Sequence, residues 1–264
     1  MPTEQGWGLP NARSYSVLSV DVVVDDVTGL FWERSVSARP FQTWEQAQAV
    51  CASLELDGFG DWRLPSRIEL TSILSLDQLD PAIDWIAFPD TPGDWFWTST
   101  PDSADDQKAW YVYFYLGYPS RDAKSNAFSV RCVRSDPALS LPAARYRLSE
   151  DTASDLLTGL EWQRVVAADS FTFAEASQHC AKLRLDGPSP WRAPSMQELE
   201  TLVDARYSQP AIDGTAFPDT PAAPFWSLTP WVESPMLRGW YVDFADGSAL
   251  YLDGTTPYPV RCVR

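Results

Sequence analysis

Histidine is nearly missing. The 264 residues contain one, His179, so no second imidazole can complete a catalytic triad. Soft metal ligands are equally sparse: the four cysteines stand singly, without the paired CxxC or HxxxH spacing of a zinc site, and no metal or other cofactor is expected. No run approaches the ~20 consecutive apolar residues of a membrane-spanning helix, so direct membrane insertion is not expected. Basic residues number 20 against 36 acidic ones, for a net charge of −16. A field of that sign repels phosphate backbones and anionic headgroups, which argues against nucleic acid. It favours solubility first, and after that divalent cations or basic protein surfaces.

What the chain has in quantity is itself. Gly29-Leu30-Phe31-Trp32, Cys51, Trp62-Arg63, Phe88 to Pro92, Trp110-Tyr111-Val112 and Val130 to Arg134 recur as Gly159-Leu160-Glu161-Trp162, Cys180, Trp191-Arg192, Phe217 to Pro221, Trp240-Tyr241-Val242 and Val260 to Arg264. The offset is 191 − 62 = 129 at the tryptophan and 262 − 132 = 130 at the second cysteine. Two copies of one domain follow, over 15–134 and 146–264, joined by the aperiodic, proline-bearing linker 135–145. Positions shared by the copies read as scaffold, and positions that differ are where binding surfaces could have diverged.

The cysteines fall two per copy, Cys51 with Cys132 and Cys180 with Cys262, and read as intradomain disulfides. Closing a loop of about 80 residues stabilises a domain by roughly 4–5 kcal/mol in the chain-entropy account. Such bridges imply an oxidising, extracytoplasmic location: secreted, periplasmic or on the cell surface. Met1 to Tyr15 carries no apolar signal-peptide core, so that expectation rests on the cysteines alone.

Within one copy, Tyr15 to Trp32 alternates and turns at Thr28-Gly29, which predicts a hairpin. Thr43 with Gln46, and Thr172 with Glu175, cap a first helix that aims its cysteine inward. Ser66 with Glu69, and Ser195 with Glu198, cap a second. Asp80 to about Ala109 reads as a long irregular loop, a place where function tends to sit. Period two then returns, with Trp110, Val112 and Phe114 on one face and Tyr111, Tyr113 and Tyr115 on the other, before a closing strand that carries Cys132. The composite is a small α+β domain with two helices and a small twisted antiparallel sheet.

TGLFW, Cys51, DWRLP, FPDTP, FWTST, AWYVYF and VRCVR together resemble the C-terminal domain family of the Lcl collagen-like adhesins. The resemblance implies a C-type-lectin-like fold for both copies and an adhesin that binds a surface glycan or protein. The polyanionic glycans associated with such adhesins fit a chain of charge −16 only at a local basic patch. The second copy departs from the pattern: DWRLP becomes PWRAP, and the serine-rich turn after the tryptophan becomes Trp226-Ser227-Leu228-Thr229. The EPN, QPD and WND strings of calcium-dependent sugar-binding lectins are absent, so that mechanism does not carry over. Asp21, Asp25, Asp26, Asp102, Asp105 and Asp106 could offer oxygens to calcium, or simply form solvated acidic loops.

Candidate ligand-binding residues are the Tyr111, Tyr113 and Tyr115 ladder and residues around it, Trp95, Ser99, Tyr118 and Arg121, in the first copy, and Trp231, Asp243 and Tyr251 in the second. Aromatic strips offer flat faces to sugars or peptide side chains. The alternative is that the strip is covered by another segment. Arg63 and Arg192 either grip an anionic group or pair with a carboxylate of their own domain. The reading is a non-catalytic binding protein with no catalytic residues. Two alternatives remain: an enzyme of the formylglycine-generating type, which needs a reactive cysteine pair, and a passive structural module.

Overall fold

The computed structural model describes residues 1–3, 9, 11–36, 39–136, 144–166, 169–185 and 190–264. The chain divides into two units, Met1–Leu139 (unit 1) and Ser140–Arg264 (unit 2). Much of the expected linker, residues 137–143, lies outside the described residues. No described helix is long and apolar enough to cross a membrane.

Unit 1 runs β1 (Tyr15–Val17), β2 (Val22–Asp25), β3 (Leu30–Glu33), α1 (Trp44–Ala52), α2 (Arg67–Ser72), β4 (Trp95–Pro101), β5 (Lys108–Tyr113), β6 (Tyr118–Ala123) and β7 (Val133–Ser135). Unit 2 repeats the order as β8 (Tyr146–Leu148), β9 (Thr152–Asp155), β10 (Glu161–Gln163), α3 (Phe173–Lys182), α4 (Met196–Glu200), β11 (Pro224–Pro230), β12 (Arg238–Asp243) and β13 (Ser248–Asp253). Each unit is α+β with two small antiparallel sheets. One has the order β1-β2-β3-β7 in unit 1 and β10-β9-β8 in unit 2, where a single bridge from Trp162 to Val263 stands at the place of β7. The other is β4-β5-β6, or β11-β12-β13.

The helices begin where the local sequence says they must. Thr43 accepts the Gln46 N–H while the Gln46 side chain accepts the Thr43 N–H, and the pairs Thr172/Glu175, Ser66/Glu69 and Ser195/Glu198 repeat the reciprocal cap. Ala47 and Cys51 form the buried stripe of α1, as Ala176 and Cys180 do in α3. The disulfides Cys51–Cys132 and Cys180–Cys262 tie each first helix to the end of its own unit. The β2–β3 turn puts Gly29 at φ 71°, and Gly159 sits at 74° in unit 2, a region where a Cβ would clash with backbone.

Three expectations are corrected. The stretch Tyr15 to Trp32 holds three strands rather than one hairpin, because Ser19 accepts the Asp21 and Val22 N–H groups and turns the chain before β2. The segment from Asp80 to Ala109 is not loop throughout, since β4 fills 95–101 and a second sheet forms on it. A register shift between Trp97 and Pro101 interrupts the period of two there. Cys132 precedes the closing strand rather than lying in it; its N–H donates to the Glu33 carboxylate.

The shared strings meet in the core. Arg131 of VRCVR is fully buried, donates to the carbonyls of Glu33 and Arg34 and to Thr91 Oγ1 of FPDTP, and lies over the Phe88 ring at 4.9 Å. Arg261 does the same with Gln163, Arg164, Thr220 and Phe217. Burial pushes the Arg131 guanidinium down to about 10 and Arg261 to about 9, so both stay charged at neutral pH. A charge held this deep is tolerated because most of its donors are matched to fixed acceptors. Trp32, Trp62 and Trp110, with Trp162, Trp191 and Trp240, are likewise buried.

Candidate binding face

In β4 and β5 of unit 1 the residue order places one aromatic row on one sheet face. Trp97 pairs in register with Tyr111, and Trp95 with Tyr113; Tyr118 of β6 stands opposite Tyr113 on the other side. At the inner end Trp97, Tyr111 and Phe128 pack together, with centroids 4.4 to 6.5 Å apart, in the cluster that also holds Cys51, Cys132 and Trp62. At the outer end Trp95 stacks on Tyr113 at 5.2 Å and 16°, and Tyr113 on Tyr115 at 5.8 Å and 18°. Tyr118 meets Tyr113 edge-on at 5.6 Å. Trp95 and Tyr115 are each 42% exposed. The row thus starts as core and finishes as surface.

Two of its hydroxyls, those of Tyr111 and Tyr113, are held in the protonated form. Burial raises the Tyr111 pKa, against a lowering hydrogen bond from Ser120. Tyr113 is raised by burial and then by its ionisable neighbours, Tyr115, Asp80 and Asp94 among them. The Tyr111 and Tyr113 phenols therefore act as neutral hydrogen-bonding groups throughout the physiological range.

The other candidates do not join this row. Arg121 stacks over Trp110 at 4.7 Å on the opposite sheet face, where Arg67 also contacts that indole at 5.1 Å. Ser99 donates its N–H to Pro65 at the irregular part of β4, and its neighbours Thr98 and Thr100 bond to Trp110 and Arg67. The serine-rich segment is thus tied into the scaffold. In unit 2, Trp231 is not a solvent-facing loop residue: it is 1% exposed, packed face to face with Tyr251 at 3.7 Å and edge-on to Trp240. Tyr251 therefore covers Trp240 as Arg121 covers Trp110. Asp243 sits on the Tyr241 face instead, half-buried, its carboxyl raised by burial and by Asp246 and its Oδ1 taking the Ala245 N–H.

Arg63 pairs with a carboxylate of its own unit. It forms a two-pronged pair with Glu69 at 2.6 and 2.8 Å, and Arg192 does so with Glu198 at 2.7 Å. Burial would raise the Glu69 carboxyl, but Arg63 and the Ser66 donors hold it below the usual range. Several aspartates serve as turn caps: Asp25 takes the Val27 and Thr28 N–H groups, Asp26 the Ser14 hydroxyl, and Asp105 the Gln107 N–H and the Lys108 ammonium. Among the described residues no group of three or more His, Cys, Asp or Glu side chains gathers as a metal site would. All four cysteines are in disulfides, so the thiol a formylglycine-generating type of chemistry needs is not free.

A profile of the Lcl C-terminal domain matches residues 21–134 and again 151–264. The chain belongs to the Lcl C-terminal domain family. Both matches end at the VRCVR string whose first arginine locks each core. A search of curated proteins finds no match.

Sequence reasoning passed over Phe128, which seats the row, and Asp80 and Asp94, which flank it. It also passed over Trp85 and Ile86, exposed at 66% and 64%, where unit 2 has Gly214 and Thr215. The copy-to-copy comparison that found Tyr113 would have found these too.

Proposed function

We propose that this Lcl-domain protein is a non-catalytic, extracytoplasmic adhesion module that binds a surface glycan or protein through the outer half of the unit 1 aromatic row. Trp95, Tyr113 and Tyr115 make the contacts, and Tyr111 and Tyr118 seat them. The observation that carries the reading is the exposed, pre-stacked end of that row, rigid because its inner end is core. Large rings held in place contribute contact area at little cost in side-chain entropy. The copies, 15–134 and 146–264 about the linker 135–145, are proposed to be C-type-lectin-like domains. Two helices, small antiparallel sheets and a disulfide from first helix to chain end support that kinship. The disulfides also favour an oxidising compartment.

The test is a glycan and surface-protein array probed with the intact protein, Trp95→Ala and Tyr113→Ala. The wild type is expected to give hits that both variants lose while their near-ultraviolet circular dichroism shows a folded core. Hits unchanged in both variants would sink the assignment of this face.

A further inference from the structure

Resting on that reading of the face, we infer that the Trp95–Tyr113–Tyr115 surface takes the cationic side chains of a basic polypeptide segment, lysine or arginine presented in extended conformation. The rings are one half of the argument. An aromatic face attracts a cation through its quadrupole, and this chain uses the pairing repeatedly within itself: Lys124 lies over Trp44, and Arg134 over Phe31 and Phe59. Among the described residues no basic group stands over Trp95, Tyr113 or Tyr115.

Carboxylates are the other half. A Cβ added to Gly93 would come within 2.5 Å of Asp80 Oδ1 and 3.2 Å of Tyr115 Cδ2, so glycine there lets acid and ring close on the same spot. The Asp80 N–H donates to the Tyr115 carbonyl, and the Asp94 carbonyl accepts from Phe114, fixing both acids beside the row. Among the described residues neither carboxylate is in an ion pair. Their charge acts on Tyr113, whose pKa is raised by burial, Tyr115, Asp80 and Asp94 in that order. The site therefore presents negative potential beside the partly exposed rings of Trp95 and Tyr115, in a chain whose overall charge of −16 draws cations toward it. Same-side residues of an extended peptide recur roughly every 6.6 Å, close to the ring spacing here.

Unit 2 serves as the internal control. Where unit 1 has Asp80, Asp94, Trp95, Tyr113 and Tyr115, it has Gln209, Ala223, Pro224, Asp243 and Ala245. The flanking acids and the rings disappear together, as parts of one site would.

The experiment titrates the intact protein with a ten-residue peptide alternating lysine and serine, with its glutamine counterpart, and with a neutral oligosaccharide, at low and high salt. The lysine peptide is expected to bind about tenfold tighter than the glutamine peptide, and to lose that advantage at about 0.5 M salt. Tyr113→Ala, or Asp80→Asn with Asp94→Asn, should abolish the preference. Glu150→Gln with Glu233→Gln, which removes the same charge from unit 2, should leave it intact. Since the aspartates are at the surface, their variants test the inference even where Tyr113→Ala perturbs the sheet. Equal binding of both peptides, binding of neither, or a loss matched by the unit 2 variant would overturn the inference. Salt-insensitive, Tyr113-dependent capture of the oligosaccharide would overturn the cation but leave the binding face standing. Failure of that face altogether would show instead as array hits indifferent to Tyr113 and Trp95.

Discussion

Unit 1 and unit 2 build the inner end of the same sheet from equivalent residues and the outer end from different ones. Trp97, Tyr111 and Phe128 correspond to Trp226, Tyr241 and Tyr258, and each trio packs inside its own core. Two residues further out, Trp95 and Tyr113 give way to Pro224 and Asp243. On the opposite face the cover over the shared indole changes from Arg67 and Arg121 to Trp231 and Tyr251. A side chain that packs against the disulfide cluster is held by every neighbour, because cavities and overpacking are both costly there. One at the rim answers only to solvent or ligand. On the aromatic-row face the difference between the copies thus marks where selection for folding stops.

The largest test of that comparison addresses what the copies share. Replacing Cys51 and Cys132 with alanine should remove about 4–5 kcal/mol from unit 1, and Cys180 with Cys262 the same from unit 2. Calorimetry should then show one transition lowered in each variant. Both transitions falling together would break the picture of two self-sufficient units.

Next come the buried arginines. Arg131→Met or Arg261→Met strands several buried acceptors at about 1–3 kcal/mol each, so a loss of roughly 3 kcal/mol is expected in the affected unit by urea titration. An unequal loss would show that the two locks are not equivalent.

The unshared rim should behave in the reverse way. Tyr113→Ala is expected to lower ligand capture about tenfold while costing about 1 kcal/mol or less in stability. Grafting Pro224→Trp, Asp243→Tyr and Ala245→Tyr onto unit 2 should add capture there. Unfolding on Tyr113→Ala, with no selective loss of binding, would move the ring into the scaffold.

The smallest effect concerns acid. Glu69 has a folded pKa below its ordinary value near 4.5, so its ionised form stabilises unit 1 above that pH. That contribution fades as pH falls through the lowered value. Glu69→Gln should therefore weaken unit 1 at neutral pH and flatten its loss of stability as pH falls below the ordinary carboxylate value of 4.5. An unchanged slope would assign the acid sensitivity to other carboxylates.

Local rules made parts of this molecule legible. A capping box spans four residues, so all four helix starts could be read directly. Repetition identified the core tryptophans that both copies share, though not the buried Trp231, which has no counterpart. The strand β4 was hidden by its serines, threonines and irregular register, which look like loop. The buried role of Arg131 was hidden because its partners are 40 and 97–98 residues away. The rim was half legible: its tyrosines followed from alternation, whereas Arg121 and Trp231 were misplaced because strand face, not sequence proximity, decides which side chains share the row.

The pairing of β3 with β7 also sets a clock. Trp32 lies beside Val133, and Arg131 reaches back to Glu33 and Arg34, so the first sheet of unit 1 stays open until the last strand exists. At ribosomal speeds of about 5–20 residues per second, some 100 residues take roughly 5 to 20 s to appear. Until then β1 to β3 have no closing neighbour, and contacts so distant along the chain form slowly even afterwards. On the proposed extracytoplasmic reading, this delay leaves the first sheet of unit 1 without its closing strand, and so easier to hold unfolded for passage through a membrane, until the end of the unit has been made.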